Sequence, residues 1–338
     1  MSEAIVIRGA VFALALALCP QALARPSVVV YTSLDQPFSE PVLRGFEKAT
    51  GIRVKALYDL EANKTVGLAN RLLAEMKRPR ADVYWNNEPM HTVMLARRGV
   101  FETFETTRAA GIPDAYRDPA SRWYGFGGRA RVLLVDSSRV TEAEMPKAVS
   151  ELAHPRWKGK AAMAKPLFGT TATHVAALFA VQGAAKGRTF LEALRANAIR
   201  LADGNSGVRD QVVRGEALVG LTDTDDALSA VRAGKPVRMI FPDQGTGGAL
   251  LLPNTVSIVK GAPHPQEARR LAEYLLSPEV EEALARGPSQ QIPLRPGLAG
   301  PEGMGDVRTL ETMRVRFEAV EAAMPEATRA VQEVLLND

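Results

Sequence analysis

The sequence predicts an α/β protein of two lobes joined by shared strands, and three observations carry that expectation. From residue 27 onward, β-rich apolar runs alternate with amphipathic segments through short connectors, the pattern of an open parallel sheet with right-handed crossovers. Near Arg122 the rhythm changes around a glycine pair, and a second α/β block follows. No internal repeat or low-complexity linker separates the blocks, so the lobes should share crossover strands.

Residues 27–32 (SVVVYT) are a continuous apolar run, suited to a strand buried on both faces. Residues 41–48 carry Val42, Leu43 and Phe46 at helical spacing, and Gly51 closes that helix before a second strand over 52–57. A longer helix is expected over 60–76, with Val66, Leu68, Leu72 and Leu73 on its apolar side. Residues 81–85 make a third strand, and 88–98 a helix closed by Gly99. Strands over 123–126 and 130–135 then flank the glycines. Helices near 171–181, 186–196 and 207–214 follow, with strands near 218–221 and 237–240. Gly245-Thr246-Gly247-Gly248 interrupts before strands at 249–252 and 255–259, and the C-terminal quarter reads as mostly helical.

With 338 residues, 46% hydrophobic and 24% charged, the chain can build two cores and is too apolar for disorder. Forty-two Lys and Arg against 38 Asp and Glu leave only +4. The basic pairs Lys77-Arg78, Arg97-Arg98 and Arg269-Arg270 are scattered, which argues against nucleic acid as a partner. Residues 1–24 read as a secretory signal: Arg8 precedes an apolar run from Gly9 to Cys19, and Ala22-Leu23-Ala24 offers small residues for cleavage before Arg25. That run is too short to span a membrane. Cys19 is the only cysteine, and Leu18 and Pro20 beside it do not suit a lipid anchor. The exported chain would fold without disulfides or cysteine-ligated metal.

Enzyme signatures are sparse. There is no G-x-S-x-G, no H-E-x-x-H and no phosphate loop ending in Gly-Lys-Ser/Thr. The segment from Gly125 to Ala130 fits G-x-G-x-x-A but leads into a strand, where a phosphate would meet no helix N-terminus. Glu88-x-x-His91 is half of a carboxylate-bridged metal pair without a second copy. Polar clusters at strand ends say more, because ligands of open α/β sheets sit there. These are Thr32-Ser33-Leu34-Asp35, Asn86-Asn87-Glu88, Gly169-Thr170-Thr171 and the run from Thr222 to Asp226. Each alone could be a helix cap. Four on one face point to a ligand cleft.

The runs Val28-Val-Val-Tyr-Thr-Ser33, Gly45-Phe-Glu-Lys-Ala-Thr-Gly-Ile52, Ala81-Asp-Val-Tyr84 and Arg129-Ala-Arg-Val-Leu-Leu-Val135 resemble the periplasmic ferric-iron-binding proteins of ABC importers. Asn205-Ser206, Gly215-Glu216, Val219-Gly-Leu221, Leu252-Pro-Asn-Thr-Val256 and His264-Pro-Gln-Glu-Ala268 extend the likeness in order along the chain. The resemblance implies a class II, two-lobed binding protein with two crossover hinge strands and an inter-lobe cleft. It implies a periplasmic location, delivery of a solute to an ABC transporter permease, no catalysis, a monomer, and no required cofactor. The lobes would be 27–128 with 254–300, and 129–253 with 301–338.

The departures bear on the ligand. Where the family's iron carriers place two adjacent tyrosines, this chain has Asp225 and Asp226. The family's ligand after the first strand falls near Asp35, and its glutamate falls at Asn87 or Glu88. Its anion-contacting segments map to Gly169–Thr171, Asn205 and Asp223, and an aspartate at 223 would repel an anion. Carboxylates can hold hard cations, so Asp35, Glu88, Asp225 and Asp226 are the metal candidates. The same groups could bind an ammonium or polyol while Arg129, Arg131 and the Thr170-Thr171 amides hold a phosphate or carboxylate. Losing both tyrosines removes the strongest ferric donors, so a small organic or phosphorylated solute is the expected ligand. A hard metal ion is the alternative, and a metal-dependent hydrolase the alternative class. The expected ligand-binding set is Ser33, Asp35, Asn87, Glu88, Arg129, Arg131, Thr170, Thr171, Asn205, Asp223, Asp225 and Asp226.

Overall fold

A computed structural model describes residues 25–59 and 66–337. The expected leader over 1–24 and the start of the helix expected from residue 60 lie outside the described residues. The first block runs β1 (Ser27–Thr32), α1 (Gln36–Thr50), β2 (Arg53–Tyr58), α2 (Val66–Ala74), β3 (Val83–Asn86) and α3 (Pro89–Arg97). β1 pairs in parallel with β2 and β3, aligning Val30 with Ala56 and Val83. α1 buries Val42, Leu43 and Phe46 and stops at Gly51, whose φ of 71° lets its N–H reach Glu47 O.

β4 (Tyr124–Asp136) then leads into the second block: β5 (Ala161–Ala164), α4 (Gly169–Gln182), α5 (Ala184–Ala196), β6 (Arg200–Ala202), α6 (Asn205–Val213), β7 (Val219–Asp223), α7 (Thr224–Arg232) and β8 (Val237–Ile240). The chain returns through β9 (Leu251–Ile258) and ends in α8 (Pro265–Leu275), α9 (Pro278–Arg286) and α10 (Phe317–Val331). The strands follow the order β2-β1-β3-β9-β4-β7-β5-β6, with β8 also on β4. β4 is shared between lobes: up to Ala130 it pairs with β9, and from Arg131 it pairs with β7. The fold is the two-lobed α/β architecture that the strand–helix alternation predicts, with β1–β3 in lobe 1 and β5–β7 in lobe 2.

Several elements differ from expectation. The strands over 123–126 and 130–135 are one strand, because the glycines shift its register between Phe126 and Gly128 without ending it. A Cβ on Gly128 would lie 2.9 Å from Leu252 O, so glycine permits the close approach of β9 there. The strands over 249–252 and 255–259 are likewise parts of β9, which runs through Pro253 and Asn254. Asn254 is buried but satisfied, accepting from Trp85 Nε1 at 3.1 Å and donating to Gly127 O at 3.0 Å. β5 and β6 carry too little signal to be read: one is Ala-Ala-Met-Ala, the other three residues long. The C-terminal quarter is less helical than expected, since 287–316 holds only the short turn Val307–Thr309.

α10 packs on α4 and α5 and also on α3, so it touches helices of both lobes. Arg97 of α3 pairs with Glu321, and Arg188 of α5 pairs with Glu333 at 2.7 Å. Among the described residues no helix is long and apolar enough to cross a membrane.

Candidate functional site

The strand ends of both lobes and the partner switch of β4 meet at one place, and the helices that leave it begin with the polar clusters. Asn87 and Glu88 precede α3, Thr170 and Thr171 open α4, Asn205 opens α6, and Asp223 precedes α7, whose first turn holds Asp225 and Asp226.

Arg131 anchors the floor. It is fully buried, and its Nη1 donates to Asp223 Oδ1 at 2.6 Å, Asn205 Oδ1 at 2.9 Å and Thr170 Oγ1 at 3.0 Å. Nη2 donates to Thr171 Oγ1 at 3.0 Å. Asp223 is held from its other oxygen by Thr170 Oγ1 and Asn205 Nδ2, each at 2.9 Å. Burial alone would raise the Asp223 carboxyl, but Arg131 and then Arg129 outweigh it and hold it below the usual aspartate range. The structure therefore gives Arg131 an internal role, orienting Thr170, Thr171, Asn205 and Asp223 from below. His174 is buried beside this network with neither ring nitrogen partnered, and burial, then Arg131, pushes it down to about 3.

Arg129 and the α7 carboxylates lie nearer the surface than Arg131. Arg129 Nη1 lies 3.4 Å from Asp225 Oδ2 and 3.7 Å from Asp223 Oδ2, while Nη2 donates to Asn87 O at 3.1 Å. One guanidinium thus links the β3–α3 corner of lobe 1 to α7 of lobe 2. Burial works against its charge, but Asp225, Asp223 and Asp226 together keep it firmly protonated. Burial raises Asp225, partly offset by Arg129. Asp226 is pushed up to about 7, first by burial and then by Asp225 and Asp223, and its partner Arg209 is distant at 3.5 Å. Three aspartates, Asp223, Asp225 and Asp226, thus share this corner with Arg129, Arg131 and Arg209.

Lobe 1 supplies Ser33, Asn87 and Glu88. Ser33 Oγ donates to Asn86 Oδ1 at 2.6 Å and accepts from Asn87 N at 2.9 Å, which fixes the corner. Glu88 caps α3 by accepting from Met90 N at 2.9 Å. Its other oxygen accepts from Thr173 Oγ1 of α4 at 2.7 Å, across the lobes. Burial raises this carboxyl to about 7 despite that hydrogen bond. Thr173 was not singled out from the sequence, though it lies within one helical turn of Thr170 and is the kind of signal helical spacing can give.

Asp35 stands half-buried at the N-cap position of α1, its carbonyl accepting from Phe38 N and Ser39 N. His91 Nδ1 is 4.0 Å from Glu88 Oε2. Among the described residues no three His, Cys, Asp or Glu side chains are placed to hold a metal ion, so Asp35, Glu88, Asp225 and Asp226 are not gathered into one such group.

Residues 89–301 match the family model described as bacterial extracellular solute-binding protein. The chain is 27% identical over 336 residues to the major ferric iron-binding protein of Neisseria meningitidis (serogroup A / serotype 4A), covering 97% of this chain and 98% of that one. It is 26% identical over 254 residues to a putative 2-aminoethylphosphonate-binding periplasmic protein of Salmonella typhimurium, covering 73% and 71%. Its fold superposes on iron-bound HitA from Pseudomonas aeruginosa with a TM-score of 0.81 at 23% identity, over 92% of this chain and all of that one.

Proposed function

Since the chain belongs to the bacterial extracellular solute-binding proteins, we propose that its cleft captures a small organic solute bearing both a cationic and an acidic group. The observation that carries this is the Arg129–Asp225 pair. It is long, at 3.4 Å, and both side chains keep some exposure, 16% and 31%. A zwitterion can part such a pair, giving its ammonium to Asp225 and its acid to Arg129. Glu88 and Asp226 supply further acceptors for the cation. The name of the Salmonella relative supports the reading, since 2-aminoethylphosphonate is a zwitterion of this kind.

In this reading the protein is exported to the periplasm and hands its solute to an ABC-importer permease without turnover. The lobes, 27–128 with 254–300 and 129–253 with 301–338, close by a hinge motion about β4 and the segment entering β9. Calorimetric titration with 2-aminoethylphosphonate should give one-to-one binding, and ethylphosphonate and ethylamine, each lacking one charge, should bind far more weakly. Binding of either truncated compound as tightly as the parent, or no binding by the parent, defeats the reading.

Affinity should also depend on pH. A ligand cation favours ionised Glu88 and Asp226, both raised to about 7. Below that value each carboxylate that must ionise costs up to about tenfold in affinity per pH unit. Binding should therefore tighten as pH rises through about 7 and release protons, which titration in two buffers of different ionisation enthalpy measures. His174, at about 3, titrates outside this window. Proton uptake on binding would contradict the assignment.

Ferric iron is the second reading, favoured by the name of the Neisseria relative. Here the tyrosines argue against a phenolate site. Tyr31 donates to Glu75, Tyr124 donates to Phe104 O, Tyr84 stacks on Phe101, and Tyr116 packs on Phe317. Tyr58 lies beside Ser39 of α1, and Tyr274 packs on Phe46. Adding ferric citrate should produce no reddish charge-transfer band in the visible spectrum. A strong band would require at least one of these phenolates to leave its packing and coordinate the iron.

A further inference from the structure

At the end of β3 opposite Asn86, lobe 1 carries a hollow of about 510 Å³. Leu72, Met76, Val100 and Val259 give it an apolar floor, and Met76 is 44% exposed. Its rim is cationic. Lys77 and Arg80 come from the connection between α2 and β3, and Lys260 from the turn after β9. The one acid in the lining, Glu75, is already engaged, pairing with Arg71 at 2.9 Å and accepting from Tyr31 at 2.9 Å. Arg78 and Arg98 stand just outside, and all five cations are exposed. Among the described residues none of the five pairs with a carboxylate.

Helix ends explain part of this arrangement. α2 and α3 terminate here, and their free carbonyls favour nearby positive charge. That does not explain Arg80 or Lys260, which lie on loops entering β3 and leaving β9. Gly99 and Gly261, at φ 73° and 75°, make the turns, and Lys260 N is tied to Val100 O at 2.9 Å. Segments far apart in sequence thus bring unpaired positive charge to one apolar-floored hollow.

We propose that this hollow docks an acidic polypeptide segment of a partner protein, with one apolar anchor side chain on the floor and flanking carboxylates on the rim. Cations continue past the rim at Arg78 and Arg98, a wider footprint than one small anion needs. The apolar residues line a hollow and not a flat face, which suits a single anchoring side chain better than a layer of lipid headgroups.

The test is fluorescence anisotropy of the full chain with a fluorescein-labelled peptide, a central phenylalanine flanked on both sides by glutamates. Binding should saturate and weaken as salt is raised. The double substitution Arg80→Glu with Lys260→Glu should weaken it by about tenfold or more while leaving Tm and cleft binding unchanged. A control peptide with serines in place of the glutamates should not bind. The proposal is overturned if that control binds equally, or if the double variant binds the acidic peptide as tightly as the parent. It is also overturned if phosphatidylglycerol vesicles or tripolyphosphate bind at these residues and the acidic peptide does not.

Discussion

Replacing Arg131 with methionine should cost about 3–5 kcal/mol of stability, because it leaves the Asp223 carboxylate buried without its principal partner. Arg131 and Asp223 have 0% and 1% of their side-chain surface exposed and meet at 2.6 Å. The guanidinium also orders three more acceptors, Thr170, Thr171 and Asn205, from two further helices. Methionine fills a similar volume and offers none of those donors. Urea denaturation of the ligand-free protein measures the loss as a lower midpoint at an unchanged slope. The companion double variant Arg131→Met with Asp223→Leu separates an unpaired charge from a lost shape. Removing both charges should recover much of the stability, since a buried ion pair adds little over well-packed apolar groups. If Arg131→Met is as stable as the parent and instead abolishes ligand binding, Arg131 is a ligand contact and the cleft floor lies deeper than its burial indicates.

This outcome bears on how much of the site is legible in the sequence. The four polar clusters at strand ends converge, because a parallel sheet with right-handed crossovers places all such ends on one side. The cap reading is also partly right: Glu88 does cap α3 while reaching Thr173 across the lobes. What the pattern could not separate is Arg129 from Arg131. They sit two apart on one strand and so share a face, yet β4 changes partner between them. Arg129 remains beside β9 at the mouth, whereas Arg131 lies under α4 and α6. A strand's switch from one lobe to another leaves no trace in periodicity, because apolar residues follow on both sides of it. The glycine pair marks the neighbourhood without marking the residue. β5 escapes the pattern for a different reason: its alanines owe their strand conformation to β6 and β7 on either side, a tertiary cause outside the reach of local propensity.

Asp225→Asn should weaken binding of an amine-bearing solute by more than tenfold, the scale of about 2–5 kcal/mol for a charged contact broken in a desolvated cleft. Asparagine keeps the size of the side chain and an oxygen able to accept from Asp226 N, which Asp225 now does at 3.1 Å. Only the charge is lost. On the empty protein the effects oppose each other. The long 3.4 Å contact to Arg129 is weakened, though Arg129 keeps Asp223 at 3.7 Å. An acid in the first turn of α7 is favourable by roughly 0.3–1 kcal/mol, and its removal forfeits that. Against it, Asp225 is crowded by Asp223 and raises Asp226, so removing its charge relieves repulsion and lets Asp226 titrate nearer its ordinary range. The melting temperature without ligand should therefore barely move, while calorimetry shows the affinity fall and the proton release shrink. Asp226→Asn gives the contrast. Because Asp226 is about half protonated near neutral pH, its loss should cost less at pH 7 than the loss of Asp225 and more at higher pH. An Asp225→Asn protein that binds 2-aminoethylphosphonate normally but melts early would make these aspartates helix caps. The cation would then have to be held by Glu88 and the lobe 1 corner alone.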